Sequence, residues 1–239
     1  KKHHVIIDGL DLLELGESNW YGDVAVEDLL NAITNKKEEY TNQINSLKSD
    51  LAKNSFEIAK IFYKGVLNIK SYTSIDLSGT EVSNKLDLNN PIDLGKKFDL
   101  VFNFGTAEHV FNVYQFFKNM HELTKPQGLM INCMPFTGWY DHGFFNFQPT
   151  FHIDLASTND YRLEALFYVQ HKPRNIIQIS SREQVVDMAA NKQFSENSLL
   201  YSICRKPKQD NPFKIPMQSY YFGEVSEKVK EGWNKLRDL

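Results

Sequence analysis

Cysteine is nearly absent: Cys133 and Cys204 are the only two in 239 residues, and each stands inside an apolar run. Two such thiols fit core positions in a reduced compartment better than a disulfide framework or a zinc module. Positive charge is in no excess, with 27 Lys and Arg against 30 Asp and Glu and a formal net charge of -3. A chain without a basic field advertises no phosphate-binding surface, so no nucleic-acid partner is expected. No apolar run is long enough to cross a bilayer and the start shows no signal-peptide pattern. The expectation is therefore no membrane and a cytoplasmic location. Internal repeats and low-complexity segments are missing too. What remains is 41% hydrophobic, enough to bury the core of one large domain or of one domain with attachments.

The chain is organised around Lys97-Phe98-Asp99-Leu100-Val101-Phe102-Asn103-Phe104-Gly105-Thr106-Ala107-Glu108-His109-Val110. Leu100 to Phe104 is the kind of apolar run a parallel strand shows when both its faces are covered. Gly105-Thr106 ends it, and a helix is expected to start at once, with Glu108 in its first turn near the positive end of the helix dipole. Val110, Val113, Phe117 and Met120 carry the helical spacing on until Lys125-Pro126-Gln127-Gly128 stops it. Ligands of open α/β sheets sit beyond the carboxyl ends of strands, which puts 103–109 beside the chemistry.

Further strands are expected at 10–15, 71–76, 85–88, 129–134, 161–169 and 199–204, the last two as an antiparallel edge pair. Between 24 and 67 the pattern is helical: Leu29, Leu30 and Ile33 cluster, and Tyr40, Ile44, Leu47 and Leu51 recur at four- and three-residue steps. This insertion reads as a cap over a site, as a coiled-coil arm joining two subunits of a homodimer, or as an amphipathic helix packed on its own domain. A short helix is expected at 150–159, a linker-like stretch at 208–216 and a polar terminal helix at 225–236. Strands alternating with helices give an α/β fold, a doubly wound and mostly parallel sheet with right-handed crossovers.

These residues resemble the class I S-adenosylmethionine-dependent methyltransferases over roughly 10–207. Phe98-Asp99-Leu100-Val101 with Gly105-Thr106-Ala107-Glu108-His109 is similar to that family's fourth strand and the helix start behind it. Pro126-Gln127-Gly128-Leu129-Met130 is similar to its entry to the fifth strand, with Gln127 in place of a glycine, and 199–206 resembles its seventh strand. In the family's first motif an acid precedes three alternate glycines. Glu14 and Gly16 match it, whereas Ser18 and Trp20 occupy the later glycine positions. The resemblance implies a seven-stranded Rossmann-like domain over 1–207, with the helical insertion 24–67 after its first strand and a C-terminal linker and helix at 208–239. It implies S-adenosyl-L-methionine as cofactor.

On that resemblance Glu14, Gly16, Asn103, Phe104 and Gly105 border the cofactor's amino-acid end, Asp76 accepts from both ribose hydroxyls, and Asp87 or Leu88 borders the adenine. Asp76 and Asp87 also read as turn residues, Phe104 as core and Glu108 as a helix-start acid. The aromatic loop after the fifth strand supplies apolar walls with a few polar groups, as a small-molecule pocket needs: Trp139, Tyr140, Asn146, Gln148 and His152 are the candidate acceptor contacts. His142 and His109 are the candidate bases, because a neutral imidazole can take a proton from a hydroxyl or amine. His142 and His152 with Asp141 or Asp154 make no tight cluster, and no metal is assigned.

The expected function is methyl transfer to a small molecule, such as a sugar or other metabolite hydroxyl or amine. The alternative is a catalytically silent relative serving as a binding or assembly module. A dinucleotide oxidoreductase is disfavoured, since 16–22 lacks the G-x-G-x-x-G spacing that close pyrophosphate approach requires.

Overall fold

The computed structural model of the chain describes residues 9–20, 25–33, 36–47, 50 and 53–237. Of the element and motif positions named above, 22, 24 and Leu51 lie outside them. Strand β1 (Asp11–Leu15) pairs in parallel with β2 (Ser71–Ile75) on one side and β3 (Phe98–Phe104) on the other, and β3 pairs in parallel with β4 (Thr124–Thr137). Three further strands, β5 (Arg162–Gln170), β6 (Asn175–Gln178) and β7 (Ser198–Arg205), complete one seven-stranded sheet in the order β2-β1-β3-β4-β7-β5-β6.

Alternation along these strands sends side chains to opposite faces. Leu12, Leu100 and Phe102 bury against Tyr63 of helix α3 (Ser55–Gly65). Leu13, Leu15 and Val101 bury on the other face, against Phe116, Phe117 and Met120 of α4 (Val113–Leu123) and Leu155 of α5 (Pro149–Thr158). That two-sided cover is why the strands read as continuous apolar runs. At their entry ends Asp99 accepts from the Asp11 N–H at 3.0 Å and from Lys125 Nζ at 2.8 Å, tying three strands together.

The sheet is doubly wound, as expected, but it is less parallel: β4–β7, β7–β5 and β5–β6 are antiparallel. The expected strand at 85–88 is absent: Lys85 and Leu86 lie in a loop whose one ladder contact with β2 is an isolated Ile75–Asn84 bridge. The last two expected strands do pair antiparallel, as β5 and β7, but not at the edge. Strand β7 is inserted between β4 and β5, and the edge is β6, which with α6 (Arg182–Ala190) occupies the segment between them. The helix expected to start directly behind β3 is a single 3-10 turn at Ala107–His109, and α4 begins only after an Asn112 side-chain cap on the Gln115 N–H.

The insertion forms three helices, α1 (Val26–Ala32), α2 (Lys37–Leu47) and α3, instead of one long one. Leu29, Ile33, Tyr40 and Ile44 pack with Ile58 and Ile61 in a cluster of their own, and Ile44 is 0% exposed. Among the described residues these apolar faces pack on one another within the chain. The 208–216 segment is no free linker. Phe213 packs on the main core, Asp210 pairs with Lys206 at 2.6 Å, and the terminal helix α7 (Glu227–Arg237) buries Val229 against Val186 of α6. Cys133 and Cys204 are buried free thiols. Among the described residues no helix is long and apolar enough to cross a membrane.

Candidate active site

The carboxyl ends of β1, β2, β3 and β4 bring two groups of residues to one sheet edge. At the β1 end Gly16 turns with φ +91°, and a Cβ there would lie 1.9 Å from Thr106 Oγ1. Only glycine lets the loop after β1 close on the turn after β3. Glu14 is fully buried, and its carboxyl accepts from the Tyr63 hydroxyl, from the Tyr72 hydroxyl at 2.5 Å and from the Ser18 N–H at 3.2 Å. Burial raises it above the usual carboxylate range against the pull of those donors. Glu14 is therefore a brace for the loop, which corrects its expected contact with the cofactor.

Glu17, missed in the sequence, is the second brace. It pairs with Lys60 of α3 at 2.9 Å and accepts from the Thr80 N–H, the Thr80 hydroxyl and the Ser83 hydroxyl. Burial works to raise its carboxyl, but these partners together leave it below the usual range. The long insertion delivers both Lys60 and Tyr63 and so locks the loop.

Asp76 closes β2 with one oxygen accepting the Glu17 N–H at 2.9 Å and the other the Ser78 N–H at 2.7 Å. A carboxylate offers about four lone-pair positions, so each oxygen keeps one for a ligand donor. The buried Ser18 hydroxyl faces Glu14 and Tyr63 on the other side of the loop's backbone bond to Glu14. A half-exposed, pre-oriented carboxylate with lone pairs left open suits a ligand bearing a vicinal diol. Asp87 instead accepts from the N–H and side-chain amide of Asn89 and the amide of Asn90, a self-contained turn that holds its carboxyl low. Leu88 is buried in the main core.

The second group lies at the ends of β3 and β4. Asn103 is buried, with its side-chain oxygen accepting from the N–H groups of Thr106 and Ala107 and its amide donating to Asn132 at 3.0 Å. It shapes the turn from inside. Phe104 stacks on Phe102 at 5.0 Å, and Gly105, at φ +77°, donates its N–H to Cys133. The turn then presents Glu108 and His109.

Across from them the loop after β4 carries His142. The Phe144 N–H donates to the Glu108 carbonyl at 2.7 Å, and a Cβ on Gly143 would stand 2.9 Å from that oxygen. The loop thus comes down close enough to set His142 Nε2 3.8 Å from Glu108 Oε1 and its ring 4.9 Å from that of His109. Glu108 is 2% exposed at its side chain, its Oε2 has no partner, and burial pushes its carboxyl up to about 7. Burial and the charge of His142 lower His109. The convergence of Glu108 with the two histidines was not read from the sequence, where Glu108 passed as a helix-start acid.

The loop's other candidates divide. Trp139 and Tyr140 line a cleft of about 570 Å3 beside His142, with Glu196 and Asn197 opposite. The Trp139 ring lies 4.8 Å from that of His142, and its Nε1–H donates to the Ser198 carbonyl. Asn146 and Gln148 open on a different cleft, with Thr150, Met217 and Trp233, which corrects their grouping with Trp139. His152 is corrected as well: it is 2% exposed, in the core side of α5, with Nδ1 2.9 Å from the Ser202 hydroxyl. Helical geometry turned it inward, at the end of a buried polar chain running from Asn103 through Asn132 and Ser202. Asp154 pairs with Arg182 and the Ser219 hydroxyl, far from forming a metal set with His142.

No protein-family model matches the chain. Over 82 residues it is 38% identical to a ubiquinone biosynthesis O-methyltransferase of Bartonella bacilliformis, a stretch that is 34% of this chain and 29% of that enzyme's length. Among solved structures, the N-methyltransferase NodS from Bradyrhizobium japonicum in complex with S-adenosyl-L-homocysteine aligns at 14% identity with a TM-score of 0.42, covering 83% of this chain and 79% of that one. A didemethyltoxoflavin N1-methyltransferase from Burkholderia thailandensis aligns at 11% identity with a TM-score of 0.36, covering 84% and 72%.

Proposed function

We propose that this chain is a class I methyltransferase that binds S-adenosyl-L-methionine across the ends of β1, β2 and β3 and methylates a small molecule at the end of β4. The observation that carries the reading is the pairing, at one sheet edge, of the pre-oriented Asp76 carboxylate with the Glu108, His109 and His142 cluster. When bound, the cofactor supplies a methyl group made electrophilic by its sulfonium. The chain's own work is then to align and to exclude.

Asp76 holds the ribose diol through the lone pairs its backbone partners leave open, while Glu14 and Glu17 keep the loop carrying Gly16 and Ser18 fixed. Trp139 and Tyr140 wall the acceptor cleft. A hydroxyl acceptor sheds a proton as its oxygen is methylated, and a nitrogen of His142 or His109 is the group placed to take that proton. The modest acidic charge and the aromatic walls favour a small metabolite as acceptor.

Calorimetric titration with S-adenosylmethionine and S-adenosylhomocysteine tests the reading. Both are expected to bind at one site per chain, and Asp76→Ala is expected to weaken them about tenfold or more, the worth of a lost charge-assisted bond. No binding of either compound by the unaltered protein would return the chain to the class of silent binding modules, and equal affinity in Asp76→Ala would remove the ribose role.

A further inference from the structure

We propose that Glu108, His109 and His142 form a binding site for a single divalent transition-metal ion. A carboxylate oxygen and two imidazole nitrogens face one another with all three donor atoms within 4.8 Å. Two imidazoles and one carboxylate, with positions left open, is a donor set suited to zinc, iron, cobalt or manganese, whereas magnesium prefers oxygen throughout.

The second observation is the state of Glu108. Its side chain is 2% exposed and Oε2 has no hydrogen-bond partner, a costly arrangement for a carboxyl unless something completes it. Neither histidine is positioned to do so directly, since His142 Nε2 stands 3.8 Å from Oε1. An ion about 2.1 Å from each donor would satisfy all three at once. Cis donors around such an ion lie about 3 Å apart, so donors at the present 4.8 Å limit have to close by up to about 2 Å. His142 can supply that movement: it is 40% exposed, on a loop tip.

The backbone is shaped to hold the donors near one another. The 3-10 turn presents Glu108 and His109 in succession, and the Phe144 N–H bond to the Glu108 carbonyl pins the opposite loop over them. Gly143 leaves no gap there for a Cβ. Open coordination positions would face the cleft walled by Trp139 and Tyr140, so an acceptor oxygen could complete the shell. That last step rests on the methyltransferase reading; the ion site itself does not.

The test is a titration of the purified full chain, carrying His3→Ala and His4→Ala to silence the N-terminal pair, with Co2+ followed by its visible absorption and with Zn2+ by calorimetry. One saturable ion per chain is expected, with affinity reduced at least about tenfold in His142→Ala and in Glu108→Gln. His142 is exposed and its variant should fold even if Glu108→Gln does not, which circular dichroism checks. Absence of saturable binding, or affinity unchanged in His142→Ala, overturns the proposal. S-adenosylhomocysteine is titrated into the same preparations. Binding of it without cobalt sinks the ion site and spares the methyltransferase reading, and binding of cobalt without it does the reverse.

Discussion

His142 and Asp76 divide the site between them, and single substitutions should separate their roles. His142 has Glu108, His109 and Trp139 among its neighbours, all at the ends of β3 and β4. His142→Ala should therefore lower turnover about a hundredfold, the usual worth of a positioned acid–base or ligand group, with cofactor affinity within about twofold. Steady-state rates alongside calorimetry read this, and unchanged turnover removes His142 from the chemistry. Gly143 matters for a different reason. With Cβ space already filled by the Glu108 carbonyl, Gly143→Ala should lift the loop and cost activity much as His142→Ala does, while leaving the melting temperature within a few degrees. An alanine variant of full activity would show that the close approach has no functional part. The types of these residues were visible in the sequence. Their pairing was not, because Glu108 and His142 are far apart in the chain and meet only through the Phe144–Glu108 backbone bond.

The insertion between β1 and β2 is the element whose meaning changed most. Its apolar periodicity was legible, and its helices exist, but periodicity alone does not say which surface a face meets. Here the α1 and α2 faces meet α3, and α3 in turn meets the loop after β1 through Lys60 and Tyr63. Lys60 is a partner to a buried carboxylate, and removing it leaves Glu17 charged with only neutral donors. Lys60→Ala should cost about 3 kcal/mol of stability, at the lower end for a broken buried pair because Thr80 and Ser83 remain. Urea unfolding measures it, and a loss below about 1 kcal/mol would show the pair to be dispensable. The same variant should loosen the Gly16–Ser18 loop and weaken cofactor binding. At the other side of the sheet, β6 and α6 went unread, since β6 is short and mostly exposed and so lacks the apolar run that marks a strand.

At the scale of the whole molecule, two buried histidines couple folding to pH. His121, on α4, faces the C-terminal segment, with Nδ1 2.6 Å from the Tyr161 hydroxyl and Nε2 donating to the Asn211 carbonyl at 2.8 Å. Burial, helped by the charge of Lys206, lowers it to about 4, and burial lowers His152 to about 3. An unfolded histidine titrates near 6.5, so between there and 4 the unfolded chain takes up protons that the folded chain refuses. Stability should therefore fall as pH falls, by about 2 kcal/mol per histidine from pH 7 to pH 5. Urea unfolding at the two values checks it, and a flat profile would mean that these rings protonate in place. The sequence by itself determined the doubly wound class, the strands β1 to β4, the helices behind them and the residue types at their carboxyl ends, because apolar period and stop signals are local properties of the chain. Only the tertiary structure decided that β7 enters between β4 and β5, that His152 faces the core, that Glu14 and Glu17 brace the loop, and that Glu108, His109 and His142 converge. Those are matters of long-range packing and desolvation, fixed by which surfaces meet once the chain has closed on itself.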